Sequence, residues 1–377
     1  MAPSNTGGSL EAAVRDALGT VQDPELRRPI TELGMVDDVR VAADGTARVR
    51  VLLTISGCPL RNTIQADTTA AVASVAGITA VEVELGVMTP QQRATLKEGL
   101  KRTTIPFTEP DSLTRVIAVA SGKGGVGKSS LTVNLACAMA ADGLRVGIID
   151  ADVHGFSVPG LMGITQPPTR VDEMILPPVA HGVKVISIGM FVEGNQPVIW
   201  RGPMLHRALE QFLTDVHFGD LDVLLLDLPP GTGDVAISVG QLLPGSSILV
   251  VTTPQASAAA IAERAGALAS QTGQQVIGVV ENMSWLELPD GERMYPFGSG
   301  GGALLAERLS ASLETGVPLL GEVPLDPRLR ESADAGSPVV IAAPETASAR
   351  QITAIARALS HRPRGLAGRS LGVTPTH

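Results

Sequence analysis

Hydrophobic and polar positions follow two different rhythms along the 377-residue chain. In the first hundred residues the apolar runs are short and amphipathic. Leu10, Val14 and Leu18 recur at helical spacing. Val39 and Val41 alternate with polar neighbours, Asp44-Gly45 marks a tight turn, and Val49, Val51 and Leu53 alternate with Arg48 and Arg50. A helix is predicted around Leu60–Ala73, and Val81, Val83 and Leu85 then alternate with Glu82 and Glu84. The order α-β-β-α-β predicts a small α+β domain over residues 1–105. A polar, proline-containing stretch, Lys101–Ser112, ends it, with the linker proper at 106–112. Beyond it the rhythm changes to continuous apolar runs of buried-strand length: Val116–Ala120, Val146–Ile149, Val183–Ile188, Val223–Leu226, Ile248–Thr252, Val276–Val280 and Leu319–Val323. Helical patterns separate them, which predicts a mostly parallel sheet with helices on both faces over 113–360. Reactive groups then belong at the carboxyl ends of the strands. Residues 361–377, with scattered arginine, glycine and proline, are expected to form a flexible tail.

Composition narrows the class. Hydrophobic residues make up 44% of the chain and charged ones 18%, enough for large cores. The net charge of −9 argues against non-specific nucleic-acid binding. Two cysteines, Cys58 and Cys137, form no disulfide framework, and a cytoplasmic, reducing setting is expected. The polar Met1–Gly8 has no signal-peptide core, and no apolar run reaches the ~18 residues of a membrane helix. Neither nucleic acid nor membrane is therefore expected as a partner.

The richest stretch is Ser121-Gly122-Lys123-Gly124-Gly125-Val126-Gly127-Lys128-Ser129-Ser130, which fits G-x-x-x-x-G-K-[ST] from Gly122 to Ser129. It stands between a predicted strand and a predicted helix, as a phosphate-binding loop must. Glycines let backbone N–H groups approach phosphate oxygens, and the helix adds its positive dipole end. Lys128 supplies charge to the outer phosphates, and the Ser129 hydroxyl can ligate Mg²⁺. ATP and Mg²⁺ are the expected cofactor set. Asp150 and Asp152 close the next strand, and Asp227 ends the apolar run Val223–Leu226 in the Walker B manner, so Asp152, Asp227 and Ser129 are the expected Mg²⁺-associated groups. Leu228-Pro229-Pro230-Gly231-Thr232-Gly233-Asp234 follows, glycines beside a rigid Pro-Pro, as suits a phosphate-sensing switch.

The GKGGVGKS wording resembles the deviant Walker A loop of the MinD, ParA and nitrogenase-iron-protein class of dimeric ATPases. That resemblance implies a homodimer in which Lys123 reaches the partner's phosphates. It implies Asp152 as the residue that positions the attacking water, with Asp234 the next candidate. On the residues alone, the lesser alternative for Lys123 is a solvated loop lysine. Trp200-Arg201-Gly202-Pro203-Met204, the DLPPGTGD stretch and Glu281-Asn282-Met283-Ser284 together resemble the Mrp/ApbC family of iron–sulfur cluster carrier ATPases. The likeness implies a P-loop NTPase fold, an adenine contact from Asn282, and a loop over the base at Pro324-Leu325-Asp326-Pro327. Without it, Asn282 reads as a strand-end cap.

The first domain resembles the SufT/PaaD type found in iron–sulfur assembly factors, through Asp23-Pro24-Glu25-Leu26 and Thr54-Ile55-Ser56-Gly57-Cys58-Pro59. Asp23 and Glu25 read equally as a helix-terminus turn. An exposed Cys58 opening a helix would have a lowered thiol pKa, whereas a buried one would be inert. The chain departs from the carrier pattern at one place. The C-x-x-C expected after E-N-M-S, which would give two chains four thiolates for one [4Fe–4S] cluster, is replaced by Leu288 and Gly291. Cys137 lies in an apolar helix, so Cys58 is the thiolate left for iron. The expectation is an ATP-hydrolysing carrier that delivers clusters to apo-proteins, working with client proteins or assembly factors. The alternative is a metal-free ATP-switched scaffold of the MinD/ParA type. No acceptor-substrate motif supports a kinase or synthetase.

Overall fold

The computed structural model describes residues 6–24, 26, 28–55, 60–100, 104–153, 155–171, 174–191, 202–255, 263, 269 and 272–360. Cys58, Glu25, Trp200 and Arg201 lie outside them. The first hundred residues form helix α1 (Thr6–Leu18), strands β1 (Val36–Val41) and β2 (Thr46–Leu53), helix α2 (Arg61–Ala73), strand β3 (Ala80–Val87) and helix α3 (Pro90–Leu100). The three strands make one sheet, β1 antiparallel and β3 parallel to β2. At the β1–β2 turn Gly45 adopts φ +85°, the left-handed conformation that the Asp-Gly pair anticipates. The alternation works as expected. Val49 and Val51 face a core with Val14 and Leu18, while Arg48 and Arg50 pair with Glu82 and Glu84 on the open face.

The larger sheet has eight strands in the order β15-β12-β11-β4-β10-β5-β9-β8. In chain order these are β4 (Arg115–Ser121), β5 (Val146–Asp150), β8 (Val179–Ala180), β9 (Val183–Ser187), β10 (Val223–Asp227), β11 (Ser247–Thr252), β12 (Gln275–Asn282) and β15 (Leu319–Val323). All pairings are parallel except β8 with β9 at one edge. Every apolar run predicted as a strand is one. Helix α4 (Lys128–Ala141) packs on one face against α11 (Ala347–Ser360); α6 (Gly202–Thr214) and α7 (Asp234–Leu242) lie on the other. Further α-helices are α5 (Val158–Leu161), α8 (Gly301–Ser312), α9 (Pro327–Asp334) and α10 (Val339–Ala342).

Among the described residues there are also two two-stranded hairpins: β6 (Thr169–Val171) with β7 (Met174–Leu176), and β13 (Leu286–Glu287) with β14 (Arg293–Met294). The first carries an unforeseen function in the fold. Val171, Met174 and Leu176 are buried in the core of the small N-terminal sheet, beside Leu26, Ile30 and Met35. The linker stretch is also less detached than its polar composition suggests, because Ile105 and Phe107 pack on the larger core. The Phe107 ring meets Phe218 edge-on at 6.1 Å.

Candidate nucleotide site

The site forms where β4, β5 and β10 end side by side. Parallel register sets Asp227 of β10 opposite Asp150 of β5 and beside Val119 of β4. The chain leaving β4 becomes the glycine loop, and Gly127 at φ +78° is the residue that caps α4. A side chain there is excluded twice: by that φ, and because a Cβ would stand 2.3 Å from Asn282 Nδ2.

Asp227 is fully buried and gathers the charged groups. Lys128 Nζ donates to its Oδ1 at 2.7 Å, the Ser129 hydroxyl donates to Oδ2 at 2.6 Å, and the Thr132 hydroxyl donates to Oδ1 at 3.0 Å. Thr132 follows Lys128 by one helical turn, so its hydroxyl faces the same carboxylate. Asp150, also fully buried, accepts from the Asp152 and Val158 N–H groups and from the Ser187 hydroxyl. Burial, and next the Asp227 carboxylate, push its pKa up to about 7. Two carboxylates thus share one end of the sheet, with the Lys128 ammonium against Asp227.

Hard oxygen donors suit Mg²⁺. Ser129 Oγ and Asp227 Oδ2 lie close enough to share one ion, and the Lys128 ammonium already places positive charge at that carboxylate. The residues present fit the ion. The switch stretch closes over the loop: Gly231 N–H donates to the Ser121 carbonyl at 2.8 Å, and Pro230 lies near Gly124.

The other expected site residues fall as follows. Asp152 is nearly buried and receives the Gly155 N–H at 3.1 Å. Lys123 Nζ donates to Gln255 Oε1 at 2.5 Å. Asn282 uses its amide to brace the loop, Nδ2 donating to the Val126 carbonyl at 2.9 Å. Asp326 is engaged at both oxygens, accepting from Arg328 N–H as the cap of α9 and from the Ser348 hydroxyl. Pro324 precedes Leu325, whose N–H donates to the Trp285 carbonyl. Asp234 opens α7 with its carboxylate against Gly202 of α6, lining a cleft with His206, Arg207 and Glu210. Thr132, Ser187 and Gln255 were not anticipated. Helical spacing from Lys128 could have revealed Thr132, whereas the other two depend on long-range register.

At the departure from the carrier pattern, the chain makes the tight turn of the β13–β14 hairpin. Gly291 N–H donates to the Leu288 carbonyl, Leu288 N–H donates to the Glu292 carbonyl, and Gly291 sits at φ +86°. Trp285 is buried at its base, with the Arg293 guanidinium 4.2 Å above the ring. Cys137 is buried in α4 and its thiol is pushed up to about 12 by burial, so it does not present a thiolate. Among the described residues no three His, Cys, Asp or Glu side chains form a metal-ligand group, and no helix is long and apolar enough to cross a membrane.

Comparison with known proteins agrees with this geometry. Residues 112–360 match the model of the NUBPL iron-transfer P-loop NTPase family, and residues 11–85 match that of an iron–sulfur cluster assembly protein family. An iron–sulfur cluster carrier protein of Mycobacterium tuberculosis is 61% identical over 98% of each chain. One of Synechocystis is 42% identical over 92% of this chain and 96% of its own. A nucleotide-binding protein of Archaeoglobus fulgidus, solved in complex with ADP, is 37% identical with a TM-score of 0.53, covering 62% of this chain and 92% of its own. With two thirds of its length spanned by the NTPase model and near-full-length relatives at this identity, the chain belongs to the iron-transfer P-loop NTPase family.

Proposed function

We propose that the protein is an ATP-binding and ATP-hydrolysing iron–sulfur cluster carrier that works as a homodimer and delivers its cargo to apo-proteins. The observation that carries the nucleotide half is the cluster of Lys128, Ser129 and Thr132 on Asp227 at the mouth of the glycine loop. The cargo half is supported by relatives that share the whole chain and are named iron–sulfur cluster carrier proteins.

The residue roles follow from charge. The loop N–H groups and the α4 N-terminus hold phosphate oxygens. Lys128 turns from Asp227 to the outer phosphates, leaving Ser129 and Asp227 to hold Mg²⁺. The ion, when bound, offsets phosphate charge as a Lewis acid. Asp152 orients the attacking water, and Asp234 stands at the switch. Lys123 serves the nucleotide of the second copy. Asn282, which braces Val126, contacts the adenine, and loop 324–327 lies over the base.

Cluster binding rests on Cys58. Two chains supply two such thiolates, so a client or a small thiol provides the remaining ligands of a [4Fe–4S] cargo. The experiment is anaerobic reconstitution of the wild type and Cys58→Ala, with absorbance, iron and acid-labile sulfide analysis. Labile iron that disappears with Cys58 is the expected result. A stable stoichiometric cluster that survives Cys58→Ala refutes the ligand assignment. No cluster in either favours the second reading, a metal-free ATP-switched scaffold. The closed Leu288–Gly291 turn, with no thiolate in it, is what speaks for that reading.

A further inference from the structure

The two lysines of the phosphate loop are held by partners of different charge. Lys128 is against a buried carboxylate. Lys123 is against a neutral amide oxygen, Gln255 Oε1, 132 residues further along the chain. The sheet brings them together. β11 lies beside β4 in register, Val251 opposite Ser121. Lys123 is two residues beyond that pair on one strand, and Gln255 four beyond it on the other.

The corner that carries Gln255 is backbone-locked. Thr253 and Pro254 press against the start of α8, where a Cβ on Gly301 would stand 2.4 Å from the Pro254 carbonyl oxygen. Gln255 is therefore presented from a strand end by a corner packed against a helix.

We propose that Gln255 is a positioning residue for Lys123. It holds the ammonium away from its own phosphate loop in the nucleotide-free subunit and releases it to the phosphates of a second copy. The chemistry of the acceptor sets the balance. An ammonium bound to a neutral amide oxygen exchanges readily for an anionic phosphate oxygen, because charge-assisted hydrogen bonds are about twice as strong. A carboxylate at the same place would compete with the phosphate, and a methyl group would leave the lysine unparked. This inference rests on the reading that Lys123 acts across the dimer.

The test is sedimentation velocity with Mg²⁺ and a non-hydrolysable ATP analogue on the wild type, Lys123→Ala, Gln255→Ala and Gln255→Glu. Melting temperatures serve as the control for folding. Lys123→Ala is expected to abolish nucleotide-dependent dimers. Gln255→Glu is expected to weaken the dimer by up to about fivefold at low salt, with the deficit shrinking as salt screens the new ion pair. Gln255→Ala is expected to keep the dimer. A purely structural role for Gln255 would instead weaken both variants without salt dependence, and that result overturns the proposal. So does a Gln255→Glu protein that dimerises like the wild type while Lys123→Ala does not. If Lys123→Ala dimerises normally, the cross-dimer reading itself falls and takes this inference with it.

Discussion

Removing Lys128 tests the charge arrangement of the site directly. The pair with Asp227 is 2.7 Å long, and its side chains are 6% and 0% exposed. In Lys128→Met the aliphatic stem remains and the ammonium is lost. Asp227 keeps hydrogen bonds from Ser129 and Thr132 but has lost its cation, and Asp150 still lies beside it in the sheet. Breaking a buried pair from one side costs about 3–5 kcal/mol. For a cooperative unit of this size that lowers the melting temperature by about 6–20 °C. Asp227→Asn should destabilise too, by stranding the ammonium. The double variant should recover most of the loss, because no unpaired charge remains. Thermal melts of the four proteins without nucleotide, analysed as a double-mutant cycle, measure the coupling. Titration with ATP should show that Lys128→Met has lost binding. A Lys128→Met protein melting within about 2 °C of the wild type, or a double variant showing the plain sum of the single losses, would refute the reasoning.

Further outcomes are open to measurement. The pKa of Asp150, pushed up to about 7 from 3.8, means the folded chain holds a proton that the unfolded chain gives up. Its contribution is fully present below about pH 3.8 and is lost as pH rises through 7, a change of up to about 4 kcal/mol. Asp150→Asn should flatten this slope in melts followed over pH without Mg²⁺ or nucleotide; an unchanged slope would assign the proton elsewhere. Cys137, buried with its thiol at about 12, should resist iodoacetamide at pH 8 in the native Cys58→Ala protein and react in urea, as mass spectrometry would show. Leu176→Ala should cost about 2–5 kcal/mol and speed hydrogen exchange in β2, although Leu176 belongs to the larger half of the sequence; exchange unchanged there would deny that the hairpin completes the small core.

The legible parts were those whose evidence is contiguous. Strand β10 announces itself as an apolar run closed by Asp227, and the glycine loop carries its ligands within ten residues. The α+β order could be read because Val49 and Arg48 alternate on a half-exposed sheet. Hairpin β6–β7 was missed for a physical reason. Its strands are three residues each, too short for a period to show, and their burial comes from a sheet more than eighty residues earlier. Helix α3 was missed because Pro90–Leu100 has little apolar content to mark a face. Asp326 shows a different limit. Its place after β15 does not reveal that the Arg328 N–H and the distant Ser348 hydroxyl engage its two oxygens.

Asp227 also shows why local motifs understate the site. As a strand-end acid it reads as an ion ligand and nothing more. In the folded chain it neutralises Lys128, holds Ser129 and Thr132, and helps raise Asp150. In the proposed reading, phosphates in the loop would draw Lys128 from it and leave the buried carboxylate without its cation. Ser129 and Asp227 would hold a divalent ion there, and its charge would restore the balance. Under that reading nucleotide and ion affinities would be coupled through one buried carboxylate, and the coupling would be reciprocal.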